Sequence, residues 1–193
     1  AHESAAKNFP GADVTDPAKA KVIVQTALPH EGMRSNSLDV FGDILAVAYQ
    51  VKRRGDKPAG FELFNVRNPE KPELISHFDC SGPHSRGVHA LWFVDGETVH
   101  MSAGAPDFQP RNPADAHFYR IIDVRNAAKP IELGRWWYPG TREGDEAPPP
   151  QRLEKRFDTG FRAHNTNVFP QRPDRCYLGY IDGGAFILDI ADK

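Results

Sequence analysis

The sequence is poor in the features that assign a protein quickly to a chemical class. Only two of its 193 residues are cysteines, Cys80 and Cys176, and neither lies in a CxxC motif. This excludes a disulfide framework and a cysteine-based metal site. The two could pair with each other, but two separate thiols at strand ends is the preferred interpretation. No apolar run approaches the ~20 residues that cross a bilayer, so no membrane span is predicted.

Charge of one sign is not in excess either. The chain has 24 Lys and Arg against 26 Asp and Glu, a net charge of −2, and it has no block of like charge. Because nucleic-acid binding needs concentrated positive charge, no nucleic-acid partner is predicted. The sequence also lacks a glycine-rich phosphate loop, an HExxH motif and a GxSxG serine elbow, which removes the enzyme classes that those motifs mark.

What the sequence does contain is a repeated turn. Four segments share its pattern: Asp13–Pro17, Asn65–Pro69, Asp123–Ala127 and Asp189–Lys193. Asp and Asn side chains bond the nearby backbone in turns, and proline presets φ, so we interpret the repeated acidic and amide residues as structural. The intervals between copies exceed the ~40–50 residues of a minimal repeat unit, which places the surplus in loops.

Strand-like segments surround each turn. Apolar runs precede the last three copies at Phe61–Val66, Phe118–Val124 and Ala185–Ile190, and further runs follow the middle two at Glu73–Phe78 and Ile131–Tyr138. Two more strand types recur upstream, as Asp43–Tyr49, Glu97–Ala103 and Arg175–Ile181, and as Ser35–Phe41, Gly87–Val94 and His164–Phe169. With 16 Gly, 17 Pro and no helical periodicity, the chain is predicted to be all-β. Four antiparallel strands per repeat form the blade of a β-propeller.

The turn Asp-Val-x-Asp-Pro-x-x-Pro resembles that of the LVIVD-repeat β-propeller proteins. The stretches Val88–Phe93 and Gly134–Gly140, the latter with an Arg-Trp-Trp-Tyr-Pro-Gly match, resemble a bacterial subgroup of that family, over most of residues 12–193. The resemblance implies a single propeller-type domain over 1–193, with blade repeats at about 13–64, 65–122 and 123–193. It implies a fold but no particular activity.

About three blades fit in the chain, whereas propellers close with 4–8. We therefore expect a partial propeller completed by further blades of the same protein, or a ring closed with a second copy, in which the first strand, Lys21–Thr26, completes the last blade. The chain starts at Ala1 rather than Met, so its N-terminus is processed, trimmed or engineered. The family resemblance favours an extracytoplasmic location over the cytoplasm.

Candidate site residues come from aligning the predicted inner strands on the turn that follows. Asn36, His89 and His164 take one equivalent position, and inner strands line the central channel of a propeller. Arginines stand just before them, as Arg34, Arg86 and Arg162. The long connections 28–34, 50–60, 79–86, 104–117 and 138–162 are predicted on the same face, where long loops commonly carry function.

Two chemical interpretations of this channel mouth remain open. In one, His89 and His164 ligate a transition metal with help from His84 or His30, as zinc or copper would accept, although Asn36 at the third equivalent position is a poor ligand for such metals. In the other, the three arginines bind a carboxylate or phosphate, because guanidinium forks suit those groups.

Three functions follow from these interpretations. The first is a binding module that recognises a small anionic or polar ligand, or a protein partner, at the channel mouth. The second is a metal-dependent enzyme with His89 and His164 at the metal, and Asp39 or His164 as acid or base. The third is a structural repeat domain used for assembly. Residues 139–160 are a candidate lid over the mouth.

Overall fold

The computed structural model describes residues 7–152 and 158–192. Within them the chain is built from β-strands in antiparallel sheets, with two short 3-10 turns at Pro17–Lys19 and Pro113–Asp115. This confirms the predicted all-β class. In this part of the chain no helix is long and apolar enough to cross a membrane.

Four sheets follow one another along the chain. A two-stranded sheet pairs β1 (Pro10–Asp13) with β2 (Lys21–Gln25). The next sheet is the meander β3 (Met33–Phe41), β4 (Ile44–Val51), β5 (Gly60–Asn65) and β6 (Glu73–Asp79). The third is the meander β7 (Val88–Trp92), β8 (Thr98–Ala103), β9 (Phe118–Asp123) and β10 (Ile131–Trp136). The fourth contains β11 (Ala163–Phe169), β12 (Arg172–Tyr180) and β13 (Gly184–Asp189).

The turn motif ends the third strand of each long sheet, as the repeat predicted. The first residue of the motif accepts the backbone N–H two residues on, from Arg67 to Asn65 at 3.0 Å and from Arg125 to Asp123 at 2.9 Å. Ala191 donates to Asp189 in the same way at 3.1 Å. These contacts confirm that the repeated Asp and Asn residues are structural. Each is an Asx turn that ends one strand and reverses the direction of the chain after it.

The middle strands of the two meanders are buried on both faces. β8 and β9 are buried throughout, and β4 is buried from Leu45 onward. Strands covered on both faces read as nearly continuous apolar runs, which is why these segments were predictable from the sequence. One apolar cluster lies between the sheets of β3–β6 and β7–β10, around Phe61, Leu63 and Met101. Another, around Tyr119, Leu178 and Tyr180, joins the third sheet to the fourth.

The first strands of the three long sheets pack side by side. The carboxylate of Asp39 on β3 accepts the backbone N–H of Phe93 at 2.9 Å, and the indole of Trp92 on β7 donates to the carbonyl of Val168 at 2.5 Å. The hydroxyl of Thr166 on β11 donates to the carbonyl of His100 at 3.0 Å. These bonds fix the order of the sheets and hold β3, β7 and β11 side by side near their C-terminal ends. Asp39 was a candidate acid or base by residue type. In the structure its carboxylate binds the backbone N–H of Phe93.

The way the chain begins differs from the sequence-based expectation. Pro10–Asp13 forms a strand that was not predicted, and it takes β2 as its partner. Lys21–Gln25 therefore pairs within its own two-stranded sheet and not with β13. The described strands close no ring or barrel. The expected pairing of the first strand with the last blade within one chain is therefore not present among them.

Both cysteines are buried free thiols, as expected. Burial raises the pKa of Cys80 to about 11 and that of Cys176 to about 12. At neutral pH both are therefore protonated, and they act as packing groups. The Cys80 sulfur accepts a hydrogen bond from the Arg120 guanidinium at 3.2 Å.

Candidate functional site

A cavity of about 400 Å³ opens where the first strands of the three long sheets begin. This size suits a small organic ligand. The described residues lining the cavity are Arg34, Gln50, Arg54, Arg86, His89, Pro113, Ala114, Ala116, His117, Asp158 and Arg162. Arg34 lies on β3, Gln50 on β4 and His89 on β7, and the other residues come from connections between strands that the sequence placed on one face. Strands thus supply part of the lining, and loops supply the rest.

The cavity is strongly cationic. Among the described residues, the lining contains four guanidinium groups, those of Arg34, Arg54, Arg86 and Arg162, and one carboxylate, that of Asp158. Asp158 forms an ion pair with Arg162, whose side chain is largely buried. Arg86 donates from Nε to the carbonyl of Val51 at 3.3 Å, which holds its side chain at the wall. An arrangement with this excess of positive charge attracts an anion of small size.

A hydrogen-bond chain sets the tautomer of His89. Arg34 donates from Nη2 to Oε1 of Gln50 at 2.7 Å, so the amide nitrogen of Gln50 must face the other way. That nitrogen lies 3.4 Å from Nδ1 of His89, and the Asn36 amide nitrogen lies 3.2 Å from the same atom. Because both groups are donors, Nδ1 of His89 accepts, and the ring proton is on Nε2.

The same geometry keeps His89 neutral. Burial, together with the electrostatic effect of His164, Arg162 and Arg34, lowers the pKa of His89 to about 4. A neutral ring with its proton on Nε2 offers one N–H donor. His89 is therefore a further hydrogen-bond donor beside the surrounding arginines.

His117 is the residue of this site that sequence reasoning missed. It ends the connection between β8 and β9, and its ring stacks on that of His89 with centroids 5.8 Å apart. The side chain is buried, with 5% of its surface exposed, and neither ring nitrogen has a hydrogen-bond partner among the described residues. Burial, and after it the nearby guanidinium groups of Arg162 and Arg86, lower the pKa of His117 well below its usual range. The repeat alignment could not find it, since it lies outside the first strands.

The other aligned residues surround His89 without lining the cavity. His164 packs edge-on against the His89 ring, with centroids 4.5 Å apart, and its Nδ1 lies 2.6 Å from the amide oxygen of Asn165. The Asn36 amide also donates to the carbonyl of His89 at 2.5 Å. The structure thus brings Asn36, His89 and His164 together, as the alignment predicted, but only His89 faces the cavity.

The remaining histidine candidates lie apart from this cluster. His30 accepts the Gly32 N–H on Nδ1 at 3.0 Å, and its Nε2 lies 3.1 Å from the carbonyl of Pro58, so both ring nitrogens serve the loop. His84 is not among the described residues that line the cavity. In residues 7–152 and 158–192, no group of three or more His, Cys, Asp or Glu side chains is placed to hold a metal ion. Metal binding by His89 and His164 stays a prediction.

The candidate lid is partly fixed to the body of the protein. The Asp145 carboxylate accepts the Gly140 N–H at 2.8 Å and the Trp137 indole N–H at 3.1 Å. Arg111 donates to the carbonyls of Asp145 and Ala147 at 2.6 and 2.9 Å. The start of the segment is thus held in one conformation, whereas residues 153–157 lie outside the described residues.

Comparison of the sequence with protein-family models gives no match, and comparison with curated proteins gives no significant similarity. The resemblance to the LVIVD-repeat family therefore stays a prediction.

Proposed function

We propose that the protein is a binding module for a small organic anion, held in the cavity at the start of the first strands. The observation that carries this proposal is the lining itself, in which the described residues supply four guanidinium groups and one carboxylate. Arginine forks bind carboxylate and phosphate with paired hydrogen bonds, which are about twice as strong as those between neutral groups.

The fixed tautomer of His89 supports an anion rather than a cation. Its Nδ1 is occupied by Asn36 and Gln50, so the ring can only donate from Nε2. A cationic ligand would find few acceptors and four positive charges. An anion with two charged groups would engage the arginines on both sides and would rest its carbon chain on Pro113, Ala114 and Ala116.

A propeller-type arrangement is part of the proposal. Support comes from the two four-stranded meanders, the repeated turn after their third strands and the packing of first strand against first strand. In such an arrangement further blades, from the same protein or from a second copy, would close the ring beyond β1 and β13.

The proposal is tested by isothermal titration with succinate, a dianion small enough for the cavity. The unaltered protein is expected to bind one succinate per chain. Arg34→Met and Arg162→Met should each weaken binding roughly 10- to 100-fold, the effect of losing one charge-assisted hydrogen-bond pair.

Arg67→Met is the matched control, since it removes the same charge from an exposed pair with Asp43 outside the cavity. It should leave the affinity within about twofold, because exposed ion pairs contribute little. Absence of saturable binding by succinate, or equal weakening in Arg67→Met and Arg34→Met, would contradict the proposal.

A further inference from the structure

The backbone that carries Arg162 is fixed to the body of the protein. The Gly160 N–H donates to the Asp182 carboxylate at 2.6 Å, and the Phe161 N–H donates to the buried carboxylate of Asp115 at 2.8 Å. The two residues on the N-terminal side of Arg162 are thus bound to side chains of other segments. Arg162 is therefore presented to the cavity from a fixed position.

The side chain of Asp158 is held less firmly. Asp158 stands four residues before Arg162, and its carboxylate forms an ion pair with the Arg162 guanidinium, its hydrogen-bond partner among the described residues. The Asp158 side chain is 49% exposed, whereas that of Arg162 is 18% exposed. An ion pair with a half-exposed member contributes little to stability, because water solvates the charge when the pair opens. The Asp158 carboxylate can therefore leave Arg162 by rotation of its own side chain.

This ion pair lies at the wall of the cavity. Both of its residues belong to the lining. Burial is the largest cause of the low pKa of His89, and among the charged groups Arg162 lowers that pKa while Asp158 raises it. The guanidinium and the carboxylate are thus both within electrostatic reach of the ring that faces the cavity.

The side of the Arg162 guanidinium that binds carboxylates is occupied. Its Nε donates to the carbonyl of Thr159 at 3.3 Å, and its Nη2 donates to the Asp158 carboxylate. A guanidinium binds a carboxylate most strongly through two parallel N–H groups, so a ligand carboxylate on this side needs donors that these oxygens hold. A second carboxylate on the same guanidinium would lie beside that of Asp158, and the two negative charges would repel each other. A ligand carboxylate and Asp158 therefore compete for Arg162.

We infer that Asp158 is an internal competitor of the ligand, and that its carboxylate leaves Arg162 when a ligand carboxylate binds there. The contact of the Asp158 carboxylate with the guanidinium shows the chemistry that this position accepts. The inference rests on the proposed anion-binding function and adds to it the residue that limits the affinity. Because the ion pair and the ligand exclude each other, the site holds its anion less tightly than the guanidinium groups of the described lining alone would allow.

The test is the affinity for succinate of a variant that lacks the competing charge. Asp158→Asn keeps the size of the side chain and removes its charge, so it should bind succinate about three- to tenfold more tightly than the unaltered protein in isothermal titration. Asp158→Ser should give the same gain, since it also removes the charge. Asp43→Asn is the matched control, because Asp43 pairs with Arg67 outside the cavity and its side chain is 51% exposed. It should leave the affinity within about twofold.

An Arg162→Met background separates competition from a general effect of negative charge. The titrations are made at physiological ionic strength, which screens exposed charges beyond about 8 Å. Without the guanidinium there is nothing to compete for, so Asp158→Asn should then change the affinity for succinate by less than about twofold. A gain as large as that in the unaltered protein would show that Asp158 acts through space, and it would overturn the inference.

Two other outcomes separate this inference from the proposed function. Equal affinities of the unaltered protein and Asp158→Asn would overturn the inference and leave anion binding intact. Absence of saturable succinate binding in both proteins would overturn the proposed function, and the inference with it.

Discussion

The amide nitrogen of Asn36 lies 3.2 Å from Nδ1 of His89, although the two residues are 53 positions apart in the chain. The same amide donates to the His89 carbonyl at 2.5 Å. One side chain therefore joins β3 to β7 and fixes the ring that faces the cavity.

Removal of this amide should loosen the junction between the two sheets. Asn36→Ala deletes both hydrogen bonds and leaves partly buried acceptors, so we expect the free energy of unfolding to fall by about 1–3 kcal/mol. Urea denaturation followed by circular dichroism measures the change. The exposed Gln109 supplies the control, because Gln109→Ala deletes an amide from the surface and should change stability by less than about 0.5 kcal/mol. Equal effects of the two substitutions would show that the hydrogen bonds of Asn36 do not stabilise the junction between β3 and β7.

Acid should destabilise the protein through His89. The pKa of this ring is about 4 in the folded protein against an ordinary value of 6.5, so the unfolded chain binds protons first as pH falls. The loss of unfolding free energy caused by this protonation is absent well above pH 6.5 and grows as the pH falls from 6.5 to 4. For His89 the loss of unfolding free energy is on the order of 2 kcal/mol at pH 5. Urea denaturation at pH 7 and pH 5 measures it, and His89→Asn should reduce the pH dependence while the part due to His117 remains. An identical slope in His89→Asn would show that other groups cause it.

Asp145 should be essential to the fixed part of the 139–152 segment. Asp145→Ala leaves the N–H groups of Gly140 and Trp137 without their acceptor and is expected to cost about 2–3 kcal/mol of unfolding free energy. The tryptophan emission should also shift to longer wavelength as Trp137 meets water. Glu143→Ala removes an exposed carboxylate two residues away and serves as the comparison. Similar curves for the two variants would mean that Asp145 does not hold the segment.

The strands were predictable because the sequence encodes them locally. The apolar run of β9 and the Asx turn that follows it at Asp123 identify a strand end without any long-range information. Pairing of β1 with β2 was not predictable, since Pro10–Asp13 has the composition of a loop. The adjoining Phe9 packs edge-on against Phe64 of β5, a contact that no local pattern encodes.

Three of the four arginines in the described lining were predictable for the same reason. Arg34, Arg86 and Arg162 stand two or three residues before equivalent strand positions, so the repeat places them together. Arg54 and His117 come from long loops whose paths depend on tertiary contacts, such as the bond from the Ala163 N–H to the His117 carbonyl at 3.0 Å. No repeat relates those two residues to the strands, and only the folded chain shows that they meet.

The most direct test of anion binding in this cavity is a nuclear magnetic resonance titration that follows each arginine Nε–Hε signal as succinate is added. The account predicts saturable shifts for Arg34, Arg86 and Arg162, and constant signals for Arg67 and Arg172, which form exposed ion pairs elsewhere. Shifts that do not saturate, or that are the same size for all five arginines, would contradict it.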